Sequence, residues 1–364
     1  MKILLINLFI VYISSFFARL NIRERALEVD YKKYNKIFIL LAISSLVIVA
    51  GFRYKSGTDF HTYIDIFNIT LNSPNIDLKN SSDVAFTVFC KLLSRISSDP
   101  QIMFLGAAIL TNILIVWILA KYSKRFELSM WLYITTFVYY STFNGVRQWM
   151  SAAIIFTGTQ YLINVRSFKK YLLIVLFASL FHASALVMIP VYFIINSKTF
   201  SIRNLFLILG FMFAVFAYGT FIPVLGKILE VTQYAHYIEV FNTDMNGIHP
   251  LRLAVYFVPV FIFCLYYKTL NSKNEISIDR LVNLCIIGFL VMFMALRQVF
   301  FARLIFYFDL YYLLLIPKIV DIGDKKIRRL FYYTIAIAYF VFSYSLLITG
   351  EARIIPYELK ITLF

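Results

Sequence analysis

The chain has 364 residues, of which 61% are hydrophobic and 15% are charged, and its formal net charge is +16. No soluble globular domain has this composition, so the sequence predicts an all-α polytopic membrane protein. The basic residues cluster in short connectors between apolar runs, as in cytoplasmic loops, so the charge gives no reason to expect nucleic acid as a partner.

The apolar runs predict about ten transmembrane helices, since a bilayer core of about 30 Å requires about 20 helical residues. The candidate spans lie at about 3–18, 36–52, 102–120, 128–143, 147–164, 203–222, 250–268, 280–298, 300–318 and 329–349. Residues 1–18 carry one lysine and lack a small-residue cleavage site. We interpret them as an uncleaved first span.

The distribution of charge predicts one segment that enters the membrane without crossing it. The basic connectors expected in the cytoplasm lie at 19–36, 121–125, 166–170, 268–280 and 321–329. All five connectors lie in the cytoplasm, with both termini outside, only if one of the segments after 166–170 enters the membrane without crossing it. We choose 170–196, because His182 divides it into two arms of about 12 to 14 residues that each reach only about 20 Å. The result is a re-entrant hairpin with His182 near its apex.

The alternative is a kink or hairpin within 203–230, where two glycines and a proline could break the helix. In either case residues 1–364 are predicted to form a single integral membrane domain. Its longer outer loops are expected at about 53–101 and 223–249.

Arg147 and Gln148 stand at the head of an apolar helix that is predicted to descend from the outer surface. A guanidinium at a helix N-terminus is suited to a diphosphate or another anion. No acidic residue lies near Arg147 in the sequence, so we predict that its counter-charge is a ligand. The alternative is an arginine that only reaches the headgroups.

His182 is the candidate acid or base, because the predicted hairpin lifts it to about the depth of Arg147. Histidine titrates near neutrality and can take a proton from a hydroxyl. The alternative is a histidine that only packs. Asp59 is the clearest carboxylate at the predicted outer face near Arg53, and its alternative role is an ordinary helix N-cap.

A second polar set lies where the spans at 280–298 and 300–318 are predicted to join across the outer surface. Arg297 and Gln298 precede Arg303, and Tyr307 lies four residues after Arg303 on the same helix face. These residues predict a cationic outer pocket. Asp309 is expected either to meet an arginine of another helix or to be protonated.

No metal or cofactor is predicted. The loop 223–249 contains His236 and His249 with carboxylates, but without metal-ligand spacing. Nucleotide-binding and nucleophile-elbow motifs are absent. The cysteines Cys90, Cys264 and Cys285 have no CxxC spacing and are expected to pack.

Four stretches, in this order, resemble the EpsG family of Wzy-type O-antigen and exopolysaccharide polymerases. They are FRYKSGTDFHTY, NGVRQWMSAAI, FHASALVMIPVY and ARLIFYF, with IIPYE as weaker support. The resemblance implies a glycosyltransferase in the cytoplasmic membrane, with its active site outside. It would join oligosaccharide repeat units carried on polyprenyl diphosphate, for lipopolysaccharide, capsule or exopolysaccharide. Asp83 stands about where many relatives have a glutamate, and we assign it no role.

Within that resemblance we expect Arg147 and Arg303 to hold the diphosphate, with Arg297 or Arg53 assisting. The acceptor proton would go to His182, in preference to Asp59.

Gln148 and Tyr307 would position sugar or phosphate. The expected partners are the lipid-linked glycans, membrane lipid, and a chain-length regulator with other assembly proteins. A lipid-linked oligosaccharide flippase and a membrane acyltransferase are the alternative functions.

Overall fold

The computed structural model describes residues 1–20, 34–73, 83–217, 250–272 and 274–360, together with the single residues 224, 227 and 248. This part of the chain is almost entirely helical. The helices are α1 (Lys2–Arg19), α2 (Lys36–Gly51), α3 (Phe60–Asn72), α4 (Val84–Ser94), α5 (Gln101–Tyr122), α6 (Phe126–Thr135), α7 (Val138–Ser141), α8 (Val146–Thr157), α9 (Phe168–Ser179), α10 (Met188–Ile194), α11 (Ile202–Phe216), α12 (Pro250–Leu265), α13 (Tyr267–Leu270), α14 (Ile276–Met294), α15 (Phe306–Ile319) and α16 (Lys325–Ile348).

Short segments of other structure connect the helices. The 3₁₀ segments are Ala183–Val187, Val299–Ile305 and Glu351–Arg353, and a π-helical turn covers Gln160–Asn164. Two strands, β1 (Arg53–Tyr54) and β2 (Glu358–Leu359), pair in antiparallel register. The all-α class predicted from composition is confirmed at this level.

Four of the described helices, α1, α5, α14 and α16, are long and apolar enough to cross a membrane. Several of the other predicted spans are broken. The span predicted at 128–143 is divided into α6 and α7 at Phe137, whose φ of 72° cannot continue a right-handed helix. The span predicted at 147–164 consists of α8 and a π-helical turn.

A helical hairpin occupies the segment from α9 to α10. The ring of Phe168 lies 4.9 Å from that of Phe193, and Tyr171 stacks on Tyr192 at 5.5 Å, so the two helices run antiparallel. His182 has an extended backbone at the turn, with φ of −161°. With 12 residues, α9 is about 18 Å long, which agrees with the short arm expected from the sequence.

Both feet of the hairpin are at one end of the bundle. The Arg280 guanidinium donates to the carbonyl of Ile163 at 2.6 Å and to Asn196 Oδ1 at 3.2 Å. We call this region, comprising residues 163–164, 196–204 and 279–283, the hairpin-base end. The segment from α8 to the π-helical turn runs from the other end of the bundle to this one.

The other end carries the two strands, and we call it the sheet end. It comprises residues 53–63, 83–85, 143–148, 180–184 and 298–307 with the C-terminal segment 350–360. The Ala85 N–H donates to the Leu180 carbonyl at 2.9 Å, which attaches the start of α4 to the hairpin turn. The Gly57 N–H donates to the Arg353 carbonyl at 2.9 Å, which attaches the C-terminal segment beside β1.

The alternative location for the non-crossing segment lies only partly within the described residues. Helix α11 accounts for its first part without a break. The glycines and proline of that alternative, like most of the loop 223–249, lie outside the described residues.

Candidate functional site

Arg147 lies in the first turn of α8, which begins after Gly145. Gly145 has φ of 57° and ends the preceding turn in a conformation that suits glycine. The Arg147 guanidinium donates from Nη1 to Oδ2 of Asp83 at 2.6 Å. The expectation that Arg147 has no protein carboxylate as its counter-charge is therefore wrong. The pair is separated by 64 residues in the sequence, so the local sequence around Arg147 could not reveal it.

Asp83 also faces His182. The same Oδ2 lies 3.5 Å from His182 Nδ1. The Asp83 side chain is 6% exposed, whereas those of Arg147 and His182 are 32% and 26% exposed. Asp83 therefore lies beneath two partly exposed partners, and we call these three residues the Asp83 cluster.

The His182 ring faces the Asp83 carboxylate with its Nδ1 edge. Its Nδ1 is buried and makes no hydrogen bond with another described residue, so the exposed part of the ring is the remainder, which includes Nε2. A carboxylate facing Nδ1 favours the tautomer with the proton on Nδ1. The Nε2 lone pair is then available to accept a proton from a substrate hydroxyl.

Local structure explains why Asp83 reaches this position. Asp83 directly precedes the first residue of α4, and the bond from Ala85 to Leu180 holds that helix start against the hairpin turn. In the sequence, Asp83 was visible only as an acidic residue at the start of a helix. The resemblance to the EpsG family added that many relatives have a glutamate at about this position.

Asp59 is not part of the Asp83 cluster. Its Oδ2 accepts from the Gly145 N–H at 2.9 Å, and its Oδ1 accepts from the Thr58 hydroxyl at 3.0 Å. Asp59 precedes α3, yet its side chain makes no cap bond there and instead bonds the turn that begins α8. Its role as a base stays a prediction, and its contacts favour a positioning role.

Arg53 is also separate from the cluster and is only 2% exposed. Its guanidinium donates to the carbonyls of Ala50 at 2.6 Å and Phe143 at 3.1 Å. The rings of Phe104 and Phe143 lie 4.4 and 4.9 Å from it. Arg53 thus supports the turn before Arg147. Its contact with substrate stays a prediction.

Gln148 connects three parts of the sheet end. Its Nε2 donates to the Arg303 carbonyl at 2.9 Å and to Ser184 Oγ at 3.3 Å. Ser184 Oγ in turn lies 2.8 Å from the Tyr307 hydroxyl. The predicted residues Gln148 and Tyr307 are therefore brought together through Ser184, a residue that the sequence did not single out.

Arg303 and Arg297 have exposed side chains. Among the described residues, neither guanidinium has a hydrogen-bond or ion-pair partner. Because Gln148 holds the backbone of Arg303 next to Arg147, the Arg303 side chain begins at the edge of the site. The backbone of Arg303 is therefore attached to the start of α8, one residue after Arg147.

Asp309 lies outside the Asp83 cluster, and it lines a cavity together with Arg252 and Tyr256. Arg252 belongs to another helix, but its guanidinium donates to Glu351 at 2.9 Å, so both alternatives expected for Asp309 stay predictions. Among the described residues, no group of three His, Cys, Asp or Glu side chains could hold a metal. His236 and His249 lie outside that part of the chain.

The fold and the site together define a class of protein: a helical membrane protein with a carboxylate, an arginine and a histidine gathered at one end of the bundle. The sequence profile of the EpsG family matches residues 36–359, which is most of the chain and includes every residue of the Asp83 cluster. The chain belongs to the EpsG family, a Wzy-like polysaccharide polymerase family. Neither the curated proteins nor the solved structures compared with it contain a match.

Proposed function

We propose that the protein is a glycosyltransferase that joins oligosaccharide repeat units carried on polyprenyl diphosphate. The observation that carries this proposal is the shared carboxylate: Asp83 contacts both Arg147 and His182. Such a group can hold a base and a phosphate-binding cation in fixed positions relative to each other. Membership of a polymerase family supports the same reaction class.

His182 is the proposed general base. Asp83 holds Nδ1, and Nε2 takes the proton of an acceptor sugar hydroxyl as its oxygen attacks the anomeric carbon of the donor chain. The new glycosidic bond forms as the bond from the anomeric carbon to the diphosphate oxygen breaks, with inversion. The imidazolium that results lies against the Asp83 carboxylate, which stabilises its charge.

The arginines are the proposed diphosphate ligands. A guanidinium has five N–H donors, and Arg147 donates to Asp83 from Nη1. Arg303 adds a second guanidinium, and Arg297 assists. Preorganised cations matter most where negative charge develops, which here is the leaving diphosphate. No metal is required in this scheme.

Orientation follows from charge. The hairpin-base end adjoins the basic connectors and faces the cytoplasm in this proposal, so the sheet end and the Asp83 cluster face outward. The hairpin of α9 and α10 is then re-entrant, and both termini are outside. Its polar turn is tolerated at that depth because it is packed against protein.

Complementation of a strain that lacks the gene tests the proposal. His182→Ala should leave protein in the membrane but produce no long glycan chains, with single repeat units accumulating on the capped acceptor. The matched control is His61→Ala, which removes an exposed histidine of α3 outside the Asp83 cluster. Normal chain lengths with His182→Ala would refute the assignment.

The same experiment separates the alternatives. Loss of a flippase leaves no repeat unit at the outer face, so the single-repeat product would be missing. Loss of an acyltransferase leaves chain length intact and changes only acyl content. Either result in the gene deletion would overturn the polymerase proposal.

A further inference from the structure

The start of α9, at the hairpin-base end, carries basic side chains without a carboxylate beside them. Arg166 lies two residues before α9, and Lys169 and Lys170 are exposed in its first turn. Among the described residues, none of the three forms an ion pair with an acidic side chain. We call Arg166, Lys169 and Lys170 the basic foot of the hairpin.

The Arg166 guanidinium has a fixed position but an unused donor. It lies over the Tyr192 ring at 4.2 Å, and that ring lies 5.2 Å from the ring of Phe168, the first residue of α9. Nη1 of Arg166 is buried and makes no hydrogen bond with another described residue. The like charge of Arg280 acts on the same region and repels that of Arg166. A buried guanidinium donor beside a second guanidinium favours the binding of an anion.

The N-terminus of α9 also differs from that of α16, which begins with a similar pair of lysines. At α16, Asp324 accepts from the N–H groups of Lys326 and Ile327, so a side chain supplies the negative charge. At α9, Ser167 makes no side-chain cap bond, and the first turn contains no acidic residue. The N–H groups of a helix N-terminus attract an anion. A ligand could therefore take the place at α9 that Asp324 occupies at α16.

An exposed apolar stripe continues from the basic foot along α9. Leu173, Leu176, Phe177 and Leu180 are each more than 40% exposed, and they follow Lys169 at helical spacing on one face. The helix is about 18 Å long, close to the depth of about 15 Å of one leaflet of the hydrocarbon core. A surface that is basic at the membrane boundary and apolar through one leaflet fits a phospholipid with an anionic headgroup.

From these observations we propose that the basic foot binds the phosphate group of an anionic phospholipid, whose acyl chains lie along the exposed face of α9. Arg166 and the two lysines supply the positive charge. A free phosphate ion would meet the same cations but would make no use of the apolar stripe.

The bound lipid would fix the end of the hairpin that lies opposite His182. In the orientation proposed above, this lipid belongs to the cytoplasmic leaflet, whose anionic lipids attract basic segments at the membrane surface. The first arm of the hairpin, α9, leads from the basic foot to the turn with His182, so a lipid along α9 would hold the arm that positions this residue. The proposal concerns lipid binding and does not depend on the proposed glycosyl transfer.

Thermal unfolding of the purified full chain in detergent micelles tests the site. The melting temperature is measured while phosphatidylglycerol is added at constant ionic strength, with phosphatidylcholine and inorganic phosphate added in parallel titrations. A ligand that binds only the folded state raises the melting temperature with its concentration. We expect a saturable rise that is larger with phosphatidylglycerol than with phosphatidylcholine, and no rise with inorganic phosphate.

Variants of exposed lysines show whether the effect is local. Lys169→Gln combined with Lys170→Gln should raise the phosphatidylglycerol concentration for the half-maximal effect by about 25-fold, which is about fivefold for each lysine. The matched control is Lys325→Gln combined with Lys326→Gln, which removes the same charge from the exposed start of α16. This control should titrate like the original protein, because Asp324 already caps that helix.

Arg166→Gln removes the guanidinium with the buried donor and should also shift the titration to higher concentration. The measured quantity is the change on adding lipid, so a lower starting stability of this variant does not obscure the result. The proposal fails if phosphatidylglycerol acts no more strongly than phosphatidylcholine or if inorganic phosphate reproduces the rise. It also fails if either basic-foot variant titrates unchanged, or if the α16 control loses the response to the same extent.

Discussion

The two ends of the bundle use polar side chains differently. At the hairpin-base end, Asp279 Oδ1 accepts from the Thr199 N–H at 2.9 Å, and from the Thr199 and Tyr267 hydroxyls at 2.7 Å. Asn204 donates to Asn283 at 2.7 Å in the same region. At the sheet end, His182 Nδ1 is buried at 3.5 Å from Asp83 without a hydrogen bond among the described residues.

This difference indicates that the polar network at the hairpin-base end is structural, whereas the Asp83 cluster at the sheet end is suited to bind and react with a substrate. Buried polar groups that are fully bonded fix a unique arrangement, and removing one leaves costly unmet donors. Such a network explains how the hairpin is held at its feet. A carboxylate with two partly exposed partners leaves hydrogen-bonding capacity for a substrate. The comparison predicts that substitutions at the hairpin-base end affect stability, and those in the Asp83 cluster affect turnover.

The largest effect is expected from Asp83→Asn. This change keeps the side-chain shape but removes the charge that fixes the His182 tautomer and pairs with Arg147. The polymerisation rate per folded molecule should fall by about 10³- to 10⁴-fold. The measurement is chain growth in nanodiscs with lipid-linked repeat units, with Asp65→Asn as the control. Near-normal turnover would contradict the positioning role of Asp83.

Asp279→Ala should have the opposite pattern. It leaves two hydroxyls and one N–H without their acceptor, so unfolding should become easier by about 3 kcal/mol. Denaturant unfolding in detergent measures this, and Asp65→Asn again serves as the control. The molecules that remain folded should polymerise at a normal rate, and a selective loss of turnover would show that the two ends do not differ as described.

Arg303→Ala should reduce turnover by about 10²-fold, because one of the two proposed diphosphate cations is lost. Arg303→Lys should be intermediate, since lysine retains the charge but not the two-pronged donor geometry. Stability should be almost unchanged, because the Arg303 side chain is exposed. If Arg303→Ala and the original protein polymerise at the same rate, Arg303 does not bind the diphosphate.

Asp59→Asn should have the smallest effect. It weakens the bond to Gly145 at the start of α8, which is expected to cost about 1 kcal/mol of stability. Turnover should decrease only slightly. If Asp59→Asn instead abolished polymerisation in stable protein, Asp59 would replace His182 as the general base.

Much of the fold could be predicted from local patterns. Composition and apolar runs indicated an all-α membrane protein, and the short arms around His182 indicated the hairpin that the structure contains. The break at Phe137 was not predicted, because a single left-handed residue inside an apolar run has no signature in hydropathy.

The site was predicted less completely. Arg147 and His182 stood out because they are ionisable residues in apolar segments. Asp83 did not, since its role depends on contacts with distant residues that only folding brings together. Arg53 and Asp59 had suitable chemistry by sequence, but the fold uses both to hold the turn before α8. Residue type indicates what a group can do, whereas burial and partners determine which groups remain available.

The most direct test of the shared carboxylate is a double-mutant cycle on polymerisation rate with Asp83→Asn and His182→Ala. If Asp83 acts through His182, the double variant should polymerise no more slowly than the slower of the two single variants. If the two losses multiply, Asp83 and His182 act independently, and the account of an Asp83-oriented base is contradicted.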